Sequence, residues 1–278
     1  MGRSGKKAIV YFFLILLGIV MIYPLLWVLT ASFKDNIEIF SSATLIPHSF
    51  SFQAFSEGWH AIGQYTFGTF LLNTCKMVLP TVLFTVLSST LVAYGFARFN
   101  FPLKKPLFVI MLSTLMLPTS VLIIPRYLIF RNLGWLNTYL PFIVPAVLAC
   151  YPFFIYMMVQ FMRSLPKELE ESAYLDGCNS FTTLLLILLP LCKPAIISML
   201  IFQFIWTWND FFNSLIYINS VSKYTLPLAL NMTIDATTNI QWNQIMAMAL
   251  VAMLPCVILF FTCQKYFVEG IATSGMKG

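Results

Sequence analysis

Charge is what this sequence has least of. Aspartate, glutamate, lysine and arginine make up 9% of its 278 residues, against about a quarter in a soluble domain, so the chain cannot clothe a surface in water-facing groups. Cysteine is sparse as well. The six are irregularly spaced in apolar sequence, with no C-x-x-C pair and no histidine beside them, which excludes a disulfide scaffold and a structural zinc site. There is no G-x-x-x-x-G-K-[ST] loop to cradle nucleotide phosphates, so the chain is not itself expected to be an ATPase. Paired carboxylates, a Ser/His/Asp set and metal-ligand spacing are also missing, which argues against a membrane enzyme. The net charge of +6 comes from lysines and arginines scattered singly between apolar runs, not from a basic stripe of the kind that binds nucleic acid. His48 and His60 stand isolated in polar sequence.

What the chain has in excess is apolar length: 59% of it is hydrophobic. A bilayer core about 30 Å thick needs roughly 20 apolar helical residues. The uncharged stretches 8–33, 77–97, 106–125 and 133–162 meet that length, 194–222 holds one charge (Asp210), and 236–264 holds none. These predict six spans near residues 10–30, 71–97, 107–126, 139–162, 195–216 and 245–265. Pro24, Pro80, Pro118, Pro145, Pro152 and Pro255 fall inside them, where kinks are expected and neighbouring helices can satisfy the freed carbonyls. Continuous runs are not the short alternating segments of a β-barrel. The basic residues Arg3, Lys6 and Lys7 before the first run resemble a signal peptide, but the run is long and lacks a small-x-small cleavage site, so it reads as an uncleaved helix. With both termini in the cytoplasm, eleven of the sixteen basic residues lie inside and five outside, the bias that sets orientation.

One segment on that inner side stands out. Between residues 163 and 177 the chain reads Arg-Ser-Leu-Pro-Lys-Glu-Leu-Glu-Glu-Ser-Ala-Tyr-Leu-Asp-Gly, and it holds four of the ten acidic residues, Glu168, Glu170, Glu171 and Asp176. Pro166 suits a first helical turn, the acids complement the positive helix start, and Gly177 supplies a left-handed stop. The spacing predicts an amphipathic helix of about 11 residues with Leu165, Leu169, Ser172, Ala173 and Asp176 on one stripe and Glu170, Glu171 and Tyr174 projecting elsewhere. So short a helix must dock on something. Anionic lipid would repel it, which leaves a basic cleft on a partner protein.

The run Glu171-Ser172-Ala173, then Asp176-Gly177 and, after an apolar stretch, Pro190, resembles the EAA loop of the inner-membrane permeases of ATP-binding cassette importers. Ser172 departs from the pattern, which has alanine there. Further matches make the chain similar to the MalG-type sugar permeases: Pro24 and Ser32-Phe33-Lys34, Asn73, Ala93-Tyr94-Gly95-Phe96-Ala97-Arg98, Leu117-Pro118 with Ile124-Pro125, Trp208-Asn209-Asp210, and Phe267-Val268-Glu269-Gly270. The resemblance implies an all-α, type I importer (MetI-like) permease fold with six transmembrane helices, in a bacterial cytoplasmic membrane. It divides as 1–69 (first helix and external loop), 70–268 (five-helix core with the EAA loop at about 163–182) and 269–278 (cytoplasmic tail).

It also implies a coupling helix seated on an ATPase subunit, carried by Glu170, Glu171, Ser172, Ala173, Asp176, Gly177 and Pro190, with Glu171 as ionic anchor. A second ATPase contact is implied at Gly275, Met276, Lys277 and Gly278. The implied partners are a MalF-like second permease, an ATP-binding cassette ATPase dimer and an extracytoplasmic solute-binding protein, besides membrane lipid; no nucleic acid is expected. This chain would bind no cofactor, ATP-Mg being held by the partner subunits.

Residue chemistry agrees that the energy comes from elsewhere, since ion-coupled carriers need intramembrane carboxylates and only Asp210 qualifies. Trp208, Asn209 and Asp210 either line the solute path or sit at the outer boundary of the fifth span. Pro190 and Pro194 bracket the start of that span and predict an angle there. The alternative from another class is a secondary transporter or channel for a small polar solute.

Overall fold

The computed structural model describes the backbone of residues 3–42, 44–60, 63–235 and 240–275. Its regular elements are helices: α1 (Arg3–Ala31), α2 (Asn36–Ser41), α3 (Gln53–His60), α4 (Phe67–Arg98), α5 (Lys104–Thr114), α6 (Thr119–Asn132), α7 (Leu140–Val147), α8 (Pro152–Ser164), α9 (Glu168–Leu175), α10 (Ser180–Thr183), α11 (Leu189–Leu191), α12 (Lys193–Trp208), α13 (Phe211–Tyr217), α14 (Leu226–Asp235) and α15 (Trp242–Gly275). A π turn over Leu184–Leu188 joins α10 to α11.

Among the described residues four helical runs are long and apolar enough to cross a membrane: Ile9–Ala31, Phe67–Arg98, Leu140–Ser164 and Trp242–Lys265. The third expected span is not a continuous helix: Lys104–Thr114 meets Thr119–Asn132 at 103°. The fifth stops at Trp208 and resumes at Phe211, and just before it, where the prolines predict an angle, Ser180–Leu191 meets Lys193–Trp208 at 76°. Proline chemistry explains both bends. Pro118, extended at φ −59° and ψ 131°, disfavours helical backbone at Leu117. At the second bend Pro190 and Pro194 each lack an N–H, so the carbonyls four residues before them lose their helical donors. The chain answers with a wider turn, in which the Leu189 N–H donates to the Leu184 carbonyl across five residues, and with a corner at Cys192 (φ −80°, ψ 1°). By contrast Pro24, Pro80 and Pro255 sit within unbroken helices. The run Leu140–Ser164 pauses between α7 and α8, where Ala149 takes a left-handed φ of 55° and the Cys150 N–H donates to Pro145 O at 2.9 Å.

The chain divides into two compact units. The first comprises residues 1–71 and 226–255. Its α1 exposes large apolar side chains along nearly its whole length, from Ile9 to Leu29, at no cost in hydrocarbon, where lipid tails are as apolar as leucine. Beyond α1, Phe33 gathers Phe50, Phe52 and Phe55 with ring centroids 6.0, 5.2 and 5.2 Å away. Asn36 accepts from the Trp242 N–H at 2.8 Å, and Gln244 donates to Glu57 at 2.8 Å, so the loop after α1 folds onto the start of α15.

The second unit comprises residues 72–225 and 256–278. Its core is drawn from α4, α8 and the bent α10–α12 run: Ala93 and Tyr94; Phe154, Ile155, Met158, Val159 and Met162 at helical spacing; then Leu184, Leu188, Cys192, Ala195 and Met199. Two buried hydroxyls on α4 are absorbed by back-bonding, Thr81 to Met77 O and Thr85 to Thr81 O, each at 2.7 Å. At the opposite end of α4 two asparagines tie the loops. Asn73 donates to Ser222 O at 2.9 Å and Tyr224 O at 3.1 Å. Asn137 accepts from the N–H groups of Asn219 (3.2 Å) and Ser220 (3.0 Å) and donates to Ser220 Oγ at 2.8 Å, from a left-handed backbone at φ 59° that asparagine tolerates.

Replacing Asn137 with alanine removes these side-chain bonds and keeps a disfavoured backbone. The expected loss is about 2–3 kcal/mol of stability, read as a lowered thermal midpoint of the detergent-solubilised protein. Asn137→Gly, which relieves only the backbone, should fall between the two, and an unchanged midpoint for Asn137→Ala would remove this loop tie from the account.

Candidate functional site

The acid-rich segment begins where α8 is stopped. Leu165, the residue before Pro166, is extended at φ −79° and ψ 137°, the conformation a following proline favours. α9 then opens with Glu168, Glu170 and Glu171 in its first turn, where carboxylates complement the helix dipole. It closes in a Schellman turn: Gly177, at φ 86°, donates to Tyr174 O at 3.1 Å, and Cys178 donates to Ala173 O at 2.9 Å. Asn179 caps the next helix, its Oδ1 accepting from the Thr182 N–H at 2.9 Å.

The faces of α9 differ from the predicted stripe. The helix has eight residues, and its buried positions are Glu170 and Ala173. Leu169, Ser172 and Asp176, expected to share one stripe with Ala173, are exposed, as are Glu168, Glu171 and Tyr174; Leu175 is 90% exposed. Glu170, expected to project outward with Glu171, turns inward because a cation waits there: its carboxylate forms an ion pair with Arg98 Nε, the two side chains being 8% and 6% exposed. Burial pushes the Glu170 carboxyl above its ordinary pKa, and the Arg98 charge pulls it back.

Three residues of the last turn of α4 hold this segment. Arg98 Nη2 also donates to Leu165 O at 3.2 Å, before α9. The Tyr94 hydroxyl donates to Ser180 O at 2.9 Å, after it. Between them the Phe96 carbonyl accepts from Arg163 Nη2 at 3.4 Å, whose guanidinium also lies 5.0 Å from the Phe108 ring centroid. The inner side of α9 is thereby fixed, while its outer side presents Leu175 rimmed by Glu168, Glu171 and Asp176. The role of Arg98 and Tyr94 escaped the reading of the acid-rich segment because they lie on another helix. The signal for it was a lone arginine closing an otherwise apolar run.

The other sequence candidates fall elsewhere. Pro190 sits in the bend after the π turn. Trp208 is 3% exposed, stacked on Phe204 at 5.1 Å between centroids, and Asn209 donates back to Ile205 O at 2.8 Å. Asp210 is not inside a continuous fifth span. It caps α13, its Oδ1 accepting from the Asn213 N–H at 3.1 Å, with the Asn213 amide held at 3.0 and 2.9 Å by the two carboxylate oxygens. The backbone of Gly275 ends α15; Met276, Lys277 and Gly278 lie outside the described residues. No group of three or more His, Cys, Asp and Glu side chains suited to a metal occurs among the described residues.

An all-helical membrane protein with broken spans and a short acidic helix clamped beside the bundle is the pattern of a transport permease. The chain belongs to the binding-protein-dependent transport system inner membrane components, whose family model matches residues 86–273. It is 36% identical over 270 residues to the probable ABC transporter permease protein YurM of Bacillus subtilis, covering 97% of this chain and 88% of that one. It is 30% identical over 265 residues to the arabinooligosaccharides transport system permease protein AraQ of Halalkalibacterium halodurans, covering 94% and 93%. Among solved structures, a chain of a bacterial ABC transporter involved in the import of the acidic polysaccharide alginate superposes with a TM-score of 0.83 at 21% identity, over 96% of this chain and 99% of that one; this likeness carries the fold.

A Cβ added at Gly177 meets nothing within 4 Å, so Gly177→Ala isolates the backbone strain of the left-handed stop. It should lower stability by about 1–2 kcal/mol, and Gly177→Asn by less, both measured by thermal unfolding. Equal midpoints for wild type and Gly177→Ala would contradict the Schellman closure of α9.

Proposed function

We propose that this chain is the permease subunit of an ATP-driven importer that carries a sugar or oligosaccharide across the cytoplasmic membrane by alternating access, and that α9 is the helix through which a separate ATPase drives it. One observation carries the reading: α9 is clamped along one side and offers on the other an apolar residue, Leu175, 90% exposed and rimmed by Glu168, Glu171 and Asp176. An exposed leucine ringed by acids fits a partner cleft with an apolar floor and basic walls, and burying it is worth about 1.5–3 kcal/mol. Glu171, on the free side, is the ionic anchor. The eleven-to-five distribution of basic residues supports a cytoplasmic position for α9 and both termini, on the side where ATP is found.

The bend at Cys192, between Pro190 and Pro194, turns the α9 segment into the span that follows, so a push on α9 rotates that span as a rigid arm. ATP-Mg is bound by the partner ATPase dimer, to which Gly275, Met276, Lys277 and Gly278 add a second contact. A second, MalF-like permease and an extracytoplasmic solute-binding protein complete the assembly. The carbohydrate cargo is supported by relatives named for arabinooligosaccharides. Asp210, Trp208 and Asn209 act in this reading as a capped, packed corner of the bundle and not as the principal solute site.

Glu171→Lys should leave the subunit inserted and folded while weakening copurification of the ATPase by about tenfold or more, the scale of a reversed interfacial charge. Undiminished association would refute the anchor. In liposomes this chain alone should show no solute uptake, whereas an ion-driven carrier would transport unaided. Deleting residues 275–278 should change solute-stimulated ATP hydrolysis more than membrane insertion, and unaltered hydrolysis would take the tail out of the mechanism.

A further inference from the structure

The clamp behind α9 uses residues at every second position, 94, 96 and 98, all in the last turn of α4. They grip the 163–180 segment before α9, in its first turn and after it. Without them α9 would be a loose link. The stretch before it is a single extended residue and a proline, the stretch after it is a left-handed turn, and an eight-residue helix does not hold its own place. A force applied to the outer side would then be absorbed in the two flanking turns.

We propose, resting on the coupling role of α9 given above, that Arg98 and Glu170 are positioning residues for transport: their buried ion pair makes α9 and the end of α4 move as one body, so that displacement of the docked helix is delivered to α4. Glu170 and Glu171 thus divide the work. Glu171 faces the partner, whereas Glu170 faces the bundle and touches no partner. An ion pair suits this task better than an apolar contact because it is directional. A leucine pair slides with little change in energy, whereas separating two buried opposite charges leaves both desolvated and unmatched. The second grip of Arg98, on Leu165 O, fixes the approach to α9 from the same side chain, and the position of Arg98 at the C-terminal end of α4 favours its charge there. Most of α4, from residue 72 to its end at Arg98, belongs to the second unit, so motion imposed at its end travels along a helix long and apolar enough to cross the membrane.

The test uses the complete complex, with ATPase, second permease and binding protein, in liposomes, measuring ATPase association, ATP hydrolysis and solute transported per ATP. Glu170→Gln should keep association and hydrolysis within about twofold of wild type and reduce transport per ATP about tenfold. The reversed pair, Arg98→Glu with Glu170→Arg, should recover transport per ATP to within about threefold of wild type. Three results would overturn the proposal: wild-type transport per ATP in Glu170→Gln; loss of ATPase association in that variant, which would make Glu170 a surface contact; or a reversed pair that assembles yet transports no better than Glu170→Gln. Failure of both variants to assemble would make the pair a folding requirement only, and would overturn it too. Failure of the coupling role itself reads out separately, as Glu171→Lys retaining its ATPase.

Discussion

A backbone amide in hydrocarbon must find its partner within the protein, because no water is there to replace one. That constraint shapes this molecule. It makes every span helical, and it turns each proline into a local problem with a local answer. Where the helix can tolerate the missing donor, as at Pro24, Pro80 and Pro255, it runs on unbroken. Where two prolines fall four residues apart, as at Pro190 and Pro194, the ladder widens into a π turn and then bends by 76°. The bends are therefore the places where the backbone economy of a membrane helix breaks down, and one of them follows the acidic segment directly.

The same rule governs side chains. Polar groups are few, and several that are buried or half-buried serve as ties. Asn36 joins the loop after α1 to the start of α15; Asn73 and Asn137 hold the 219–224 turn of the other unit. Asparagine suits this work because it both donates and accepts and fits tight, left-handed turns. Asp210 belongs to this group, since its carboxylate is spent on capping α13 and holding the Asn213 amide.

On the acidic helix the division between structure and function falls between neighbours. Glu170 and Glu171 are chemically identical and adjacent, yet one is enclosed with Arg98 and the other is open to a partner. Adjacent residues on a helix point about 100° apart, so one glutamate can complete the fold while the next stays exposed. The family to which the chain belongs accounts for the presence of such a helix, and the clamp at the end of α4 gives a physical reason for its rigidity.

Much was legible in the sequence because it depended on local chemistry. Uncharged length marked the spans, Pro166 and Gly177 marked the ends of α9, and paired prolines marked the second bend, since each acts through its own backbone and immediate neighbours. The acid-rich segment announced a short helix with its carboxylates in the first turn through composition alone. What the sequence did not show was anything that depended on a distant residue. The inward turn of Glu170 follows from Arg98 on another helix, and the loop ties of Asn73 and Asn137 follow from the 219–224 turn far along the chain. Pattern and propensity locate a helix and its two ends, but which face of a short polar helix is buried is decided by the charge that tertiary packing sets against it.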